Sequence, residues 1–318
     1  MPHRARTIET QIRAYDGASL IEAATLIRAG EPVAVPTETV YGLAADATKE
    51  TAVARIYAAK GRPSFNPLIV HVADLEMARR LVAFSSAAET LARAFWPGAL
   101  TMVLPRLPDC PVAELASAGL PTLAVRLPSH PAMRSLIAAA GVPLAAPSAN
   151  ASGGISPTRA SHVLASLGGR IPFILDAGPT SDGVESTIVR PDAAAITLLR
   201  PGPITPAMIE AAIGLPVVDP RQAEGITAPG QLESHYAPSK PLTLNADVPV
   251  EGRFHIGFGP GPCQRNLSAT GDLVEAAANL FATLHEADAS SFSGITVAPI
   301  PERDIGIAIN DRLRRAAA

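Results

Sequence analysis

Cysteine is nearly absent: Cys110 and Cys263 are the two in 318 residues, far apart and at no metal-ligand spacing. Without a disulfide framework the chain suits a reducing compartment. Aromatic residues make up only 4%, which leaves little stacking surface for single-stranded nucleic acid. Lysine is scarcer than arginine, with Lys49, Lys60 and Lys240 the only three among 26 basic residues. Nor does one sign of charge dominate. Twenty-six basic residues against 29 acidic ones give a net of -3, so no bulk basic field gathers nucleic acid. The longest apolar run, Leu136 to Pro147, is broken by Gly141 and Pro143 and is too short to span a membrane. The stretch Met1 to Thr10 has no apolar signal core. The expectation is a cytoplasmic protein with no membrane partner.

What is present points to a folded α/β protein. Hydrophobic residues at 47% and charged residues at 17% exclude a disordered, solvating chain. The length suffices for two domains, each with its own core. Proline occurs 31 times, roughly double ordinary usage, and is spread between well-patterned apolar segments as enforced turns. From Pro241 onward acidic residues outnumber basic ones, 9 to 6, leaving the earlier part neutral. Any cationic site there must therefore be local.

Ser19-Leu-Ile-Glu22 reads as a capping box opening a helix that ends at Gly30. Strand patterns follow at 32–35, 67–71, 100–104, 122–127, 143–146, 173–176, 185–189 and 195–199. Helical patterns fall at 48–60, 75–82, 87–95, 130–140, 157–167 and 206–213, with Trp96-Pro-Gly98 a firm turn. Alternating strands and helices predict a layered mixed sheet. Residues 214–240 have neither period and carry several prolines, which marks a linker or a functional loop. Beyond them strands at 242–245, 254–258 and 295–299 and helices at 273–286 and 308–315 predict a second, smaller α/β domain. The predicted organisation is 1–213, a linker or lid over 214–240, and 241–318.

Three constellations carry chemistry. Between Thr51 and Ala73 there is no acidic residue, while Arg55, Lys60 and Arg62 are cationic. A helix end, Gly61 and Pro63 place Lys60 and Arg62 on an irregular loop, where a point charge and a planar fork suit a polyphosphate. The plain alternative is a helix C-terminus attracting cations to its dipole. Ala146-Pro-Ser-Ala-Asn-Ala-Ser-Gly-Gly-Ile-Ser-Pro157 joins a short strand to a helix through small polar residues, an architecture that holds anions on backbone N–H groups. It also reads as an elaborate cap, with Ser156 at N-cap and Pro157 at N1. Third, Arg126 at a strand end, Gly183-Val-Glu-Ser-Thr187 and Arg200-Pro-Gly202 bring guanidiniums that need anionic partners, with Glu185 a candidate. His71 and His235-Tyr236 sit beside these segments. No phosphate-binding P-loop, nucleophile elbow or zinc spacing occurs, and Gly257-Phe-Gly-Pro-Gly261 reads as a turn.

Taken in order, Pro36-Thr-Glu-Thr-Val-Tyr-Gly-Leu43, Lys60-Gly-Arg-Pro63, Asn66-Pro-Leu-Ile-Val-His71, Phe95-Trp-Pro-Gly98, Ala146-Pro-Ser-Ala-Asn150, Gly183-Val-Glu-Ser-Thr-Ile188 and Leu199-Arg-Pro-Gly202 resemble the YrdC-like family of L-threonylcarbamoyladenylate synthases. Ala228-Pro-Gly230 and His235-Tyr-Ala-Pro238 with the second domain resemble its long, two-domain form. The resemblance implies an open twisted mixed sheet with a smaller Rossmann-like α/β domain folded over it. The implied reaction joins L-threonine, bicarbonate or CO2, and ATP into threonylcarbamoyl-AMP and pyrophosphate, with Mg2+ on the phosphates. It serves threonylcarbamoyl-adenosine formation in tRNA together with downstream threonylcarbamoyl-transfer proteins, and leaves direct tRNA contact open. By the same resemblance Lys60, Arg62, Asn66, Thr122, Ser148, Ser156 and Arg200 hold the nucleotide, with Lys60 and Arg62 catalytic. Thr39, His71, Arg126, the backbone at Ala146 and Ser186 hold threonine, and Tyr236 reaches from the linker as a lid. Metal ligands are not implied. Between Gly230 and His235 the chain reads Gln-Leu-Glu-Ser, a departure from the aromatic and basic residues of many relatives.

Two other functions compete. Carbamoyl transfer in hydrogenase maturation uses a similar domain beside zinc fingers, for which two scattered cysteines leave no room. An RNA-binding regulatory protein could use a cationic concave face, although a neutral first domain and few aromatics disfavour it.

Overall fold

The computed structural model describes residues 8–63, 66–219 and 235–318. Along the first part run β1 (Gln11–Ala14), α1 (Gly17–Arg28), β2 (Val33–Pro36), β3 (Tyr41–Asp46), α2 (Glu50–Lys60), β4 (Ile69–His71), α3 (Leu75–Arg79) and α4 (Ser86–Phe95). They continue with β5 (Leu100–Pro105), α5 (Glu114–Ser117), β6 (Thr122–Arg126), α6 (Pro131–Ala140), β7 (Leu144–Ala145), α7 (Ala160–Leu167) and β8 (Phe173–Asp176). Then come β9 (Thr187–Pro191), β10 (Ile196–Arg200), α8 (Pro206–Ile213) and β11 (Val217–Val218). The smaller unit contains β12 (Leu242–Thr243), β13 (Arg253–Gly257), β14 (Arg265–Asn266), α9 (Leu273–Ala289), β15 (Gly294–Val297) and α10 (Gly306–Ala316).

The eleven strands of the first part form one mixed sheet in the order β1-β8-β2-β3-β7-β4-β6-β5-β9-β10-β11. Strand β4 runs parallel to β6 with His71 paired to Arg126, so two predicted site residues end adjacent strands side by side. Strands β2 and β3 are buried along their whole length, because helices cover both faces of the sheet and permit continuous apolar runs. One core gathers α2, α4 and α7 side chains around Leu43, Val70 and Leu100; the other seats α1 and α6 on Val33, Val35 and Phe173. The smaller sheet is parallel throughout, ordered β12-β15-β13-β14. The α/β class with a mixed main sheet and a smaller second α/β unit is thus as expected.

Val40, Ile155, Val184 and Tyr236 join the core of the smaller unit beside Leu273, Ala277 and Phe281. Each large apolar side chain buried this way is worth about 1.5–3 kcal/mol, so apolar burial holds the units together. Gly183, at φ +73°, makes the approach possible: a Cβ there would lie 2.2 Å from the Ala277 carbonyl oxygen in α9.

Several local expectations need correction. Asp16, not Ser19, caps α1; its carboxylate accepts from the Ser19 N–H while the Ser19 hydroxyl accepts from Asp16 N–H. Ser19 sits at the third helical position of the reciprocal cap, because an acidic cap was available one turn earlier. Helix α7 starts at Ala160 with Arg159 as its N-cap, so Ser156 and Pro157 do not open it; the Ser156 hydroxyl is drawn instead to Glu185. The sequence reading missed β1, an exposed edge strand paired with β8, and β3, whose Tyr-Gly-Leu-Ala-Ala-Asp run has no alternation because both its faces are buried. It also missed α5, β11 and β14, each four residues or fewer. Most of the linker expected over 214–240, with Gln231 to Ser234, lies outside the described residues.

Candidate functional site

The candidate site lies where β4, β6, β7, β9 and β10 converge, within a cavity of about 50 Å³ covered by Tyr236. Ligand clefts usually enclose about 300–1,000 Å³, so this one is small. Of the predicted residues, Arg62, Ser148, Arg200, Tyr236, Thr39, His71, Arg126, Ala146 and Ser186 line it. Lys60, Asn66 and Ser156 do not line it but bond to the lining residues Ser148, Arg62 and Glu185, and Thr122 is not brought to it.

One half is built on β3, β4 and β6. In the turn after β2, the Thr37 hydroxyl bonds the Val40 carbonyl at 2.7 Å and meets Thr39 Oγ1 at 2.8 Å. Arg126 Nη1 donates to Thr39 Oγ1 at 2.9 Å and its Nε to the Gly98 carbonyl at 3.1 Å. The Trp96-Pro-Gly98 turn therefore serves as a seat for Arg126. Arg126 Nη2 lies 2.6 Å from Glu38 Oε1 but outside hydrogen-bond alignment. The arginine expected to need a partner has Glu38, not Glu185. Burial alone would raise the Glu38 carboxyl; the Arg126 guanidinium overrides it and lowers it to about 2. Burial, then the Arg126 charge, pushes His71 down to about 3, so it is neutral at pH 7 and its Nδ1 has no protein partner.

The other half combines the two loops singled out in the sequence. Gly61, in the left-handed region at φ +62°, ends α2 and turns the chain so that Arg62 enters the cavity wall. Arg62 Nη2 donates to the Pro67 carbonyl at 3.1 Å, while its Nε is buried without a partner. Burial lowers Arg62 to about 10, still protonated at neutral pH. Lys60 is buried and donates to the Ser148 carbonyl at 2.5 Å and to the Asn150 carbonyl. It straps the Ala146–Asn150 loop onto the end of α2, and burial, with Arg62 adding, lowers its ammonium. Asn66 is buried nearby with its Oδ1 unpartnered, its backbone carbonyl accepting from the Tyr57 hydroxyl at 3.1 Å. Thr122 starts β6, half-buried at the opposite end of the strand from Arg126.

Arg200 ends β10 and donates from Nε and Nη2 to the Ser186 carbonyl, at 3.1 and 2.9 Å, with Nη2 also 3.2 Å from Ser186 Oγ. Gly202 permits this; a Cβ there would meet Thr187 N at 2.4 Å. Ser156 donates to Glu185 Oε1 at 2.5 Å. His235 and Tyr236 close the cavity. Tyr236 takes a positive φ of 65°, and Ala237 N–H bonds the Gly153 carbonyl at 2.8 Å. Burial raises the Tyr236 phenol and lowers His235 to about 3. Both the Tyr236 hydroxyl and His235 Nδ1 are buried without partners.

Buried polar atoms almost always have partners. Here Arg62 Nε, His71 Nδ1, His235 Nδ1 and the Tyr236 hydroxyl, all without hydrogen bonds to protein, belong to residues lining one cavity. Three guanidiniums face a single lining carboxylate, Glu185. Such a site suits an anion with several acceptor atoms. Among the described residues no group of three or more His, Cys, Asp or Glu side chains is placed to hold a metal, and Glu38 and Glu185 are each engaged by an arginine. Among the described residues there is no carboxylate cage for Mg2+. Glu38, Thr37 and Arg312 escaped the sequence reading: Thr37 and Glu38 sit within a recognised motif, while Arg312 lies in the helix predicted over 308–315 with nothing local to single it out.

The Sua5/YciO/YrdC family model, described as telomere recombination, matches residues 25–202, and that of the threonylcarbamoyl-AMP synthase C-terminal domain matches residues 204–318. The chain is 41% identical to a threonylcarbamoyl-AMP synthase of Bacillus subtilis over 94% of its own length and 92% of the relative's. It is 40% identical to that of Pyrococcus abyssi over 93% of each. A crystal structure of Pyrococcus abyssi Sua5 complexed with L-threonine superposes with a TM-score of 0.86 at 37% identity, covering 98% of this chain and 97% of that one. Among the described residues no helix is long and apolar enough to cross a membrane. With its cationic cavity, its two units and matches spanning both, the chain belongs to the Sua5/YrdC family of threonylcarbamoyl-AMP synthases.

Proposed function

We propose that the chain is a nucleotidyltransferase that makes threonylcarbamoyl-AMP and pyrophosphate from L-threonine, bicarbonate or CO2, and ATP. The observation that carries this reading is the convergence of Arg62, Arg126 and Arg200 on one cavity lined also by Thr39, His71 and Ser186. Its two halves match the two substrates. Arg126 and Thr39 receive the threonine carboxylate, and neutral His71 and the Ala146 carbonyl take its polar hydrogens. Arg62 and Arg200, with Lys60, Asn66, Thr122, Ser148 and Ser156 shaping their surroundings, receive the nucleotide.

The threonine amine adds to CO2 through its nitrogen lone pair and loses a proton to solvent, which gives an N-carboxylate. One of its oxygens forms a bond to the α-phosphorus of ATP, the α–β bridging P–O bond breaks, and pyrophosphate leaves with the electron pair. The protein supplies no nucleophile; it positions the two anions and neutralises charge as it shifts to the leaving group. Lys60 and Arg62 act here, Arg62 at the cavity wall and Lys60 by fixing the loop that bears Ser148. Mg2+ accompanying the triphosphate would be held by its oxygens and water. Tyr236 covers the nucleotide as a lid, and units 1–213 and 241–318 are the catalytic and covering domains. The product passes to downstream proteins that transfer the threonylcarbamoyl group to tRNA.

Purified protein with ATP, Mg2+ and bicarbonate should release pyrophosphate only when L-threonine is added. Release independent of threonine, or none at all, would overturn the assignment.

A further inference from the structure

By volume Arg312 heads the fully buried side chains among the described residues, yet it belongs to α10 of the smaller unit and takes no part in the chemistry above. Its Nε lies 2.8 Å from Glu185 Oε2 and its Nη1 2.6 Å from Asp311 Oδ2. Nη2 reaches the Glu185 carbonyl at 3.4 Å, and the guanidinium stands 5.5 Å from the Tyr236 ring centre. Glu185 is the one carboxylate lining the cavity and holds the Ser156 hydroxyl through its other oxygen.

A buried carboxylate demands compensation. Six groups face Glu185: Arg312 from α10, Arg200 from β10, Ser156, Lys60 from α2, and His235 and Tyr236 from the covering segment. If Arg312 were removed, the cations left to answer it would be Arg200 and Lys60, which belong to the nucleotide half.

We propose that Arg312 is a positioning residue for the nucleotide: reaching in from the second unit, it neutralises Glu185, leaves Arg200 free for the triphosphate and Lys60 on the loop that bears Ser148, and fixes Ser156. The proposal rests on the nucleotide reading above. It makes anion binding in the catalytic unit conditional on docking of the second, without any Arg312 contact to substrate.

The test is calorimetric titration of the full chain with ATP and, separately, with L-threonine. At about pH 7.5, Arg312→Met should weaken ATP binding by about tenfold or more while leaving L-threonine within about twofold. Arg312→Met combined with Glu185→Gln should regain most of the lost ATP affinity, since no unpaired carboxylate remains. Freed from Arg312, Glu185 takes a proton more readily, so ATP binding by Arg312→Met should recover as the pH is lowered to about 6, unlike that of the wild type. Arg312→Lys, which keeps the charge but loses the fork, should bind ATP more tightly than Arg312→Met and less tightly than wild type, and serves if the Met variant does not fold. Unchanged ATP binding in Arg312→Met, equal loss of both ligands, a double variant as weak as the single, or Arg312→Lys as weak as Arg312→Met would each overturn the proposal. A wild-type chain that binds ATP but releases no pyrophosphate with threonine would sink the synthase reading while this binding comparison still stands.

Discussion

Two buried arginine–glutamate pairs flank the cavity, and they are built differently. Arg126 and Glu38 both belong to the main sheet and its turns, 2.6 Å apart, with Arg126 itself lining the cavity. Glu185 lines the cavity on the other side, and its arginine arrives from a different unit, 2.8 Å away and fully buried. In the first pair the cation faces the ligand and the carboxylate stands behind. In the second the carboxylate faces the ligand and the cation stands behind. The Arg126 side is complete within the main sheet, whereas on the other side the one lining carboxylate, Glu185, is answered by a cation of the smaller unit. If the proposed assignment of the two sides holds, docking acts on the nucleotide side and not on the threonine side.

The largest test of this contrast is Arg126→Met. It leaves Glu38 buried and unpaired, and chemical denaturation should show a loss of about 3–5 kcal/mol together with loss of L-threonine binding. Adding Glu38→Gln should restore stability but not threonine binding, because here the arginine itself meets the ligand. Recovery of both would make the two pairs equivalent and break the comparison.

A smaller effect is expected at the seam between the units. Gly183→Ala puts a methyl 2.2 Å from the Ala277 carbonyl oxygen at a positive φ, which should weaken docking by about 1–3 kcal/mol. ATP affinity should fall with it, threonine affinity should hold, and denaturant unfolding should separate into two transitions. A single transition with both affinities reduced would argue that the seam supports the whole cavity.

The smallest effect concerns pH. His162 on α7 and His285 on α9 stack across the seam with ring centres 3.9 Å apart, and His285 Nε2 lies 3.1 Å from the Ser156 carbonyl. Burial lowers both imidazoles, His162 to about 3 with His285 adding to the shift. The folded state therefore binds these protons less readily than the unfolded state. Their contribution is whole above the ordinary value of 6.5 and is lost as the pH falls from there toward 3. Between about pH 7.5 and pH 5.5 the wild-type Tm should drop a few degrees more than that of His285→Gln. An equal drop in both would remove the stacked pair from the account of docking.

Much of this molecule was legible before any coordinates. Gly61 after an apolar-periodic helix fixed the end of α2 and hence where Arg62 leaves it, because only glycine enters the left-handed region without strain. Helix α8, with Pro206 in its first turn and Gly214 as its cap, ran as its sequence suggested. Strand β3 escaped because alternation vanishes when both faces are buried. The start of α7 was misplaced because Ser156, an excellent cap locally, has a stronger partner in Glu185, 29 positions away.

The sequence by itself determined the class, most of the longer elements and most of the chemically able residues, since these follow from local periodicity, capping or residue type. Only the tertiary structure decided which carboxylate answers which arginine. Arg126 could have paired with Glu185 as far as the sequence goes; the strand register that sets His71 beside Arg126, together with the turn after β2, chose Glu38 instead. Arg312 could have lain on a solvated face; docking of α10 buried it against Glu185. Such pairings are long-range choices among similar charges, fixed by which surfaces must leave water and which charges must then be compensated.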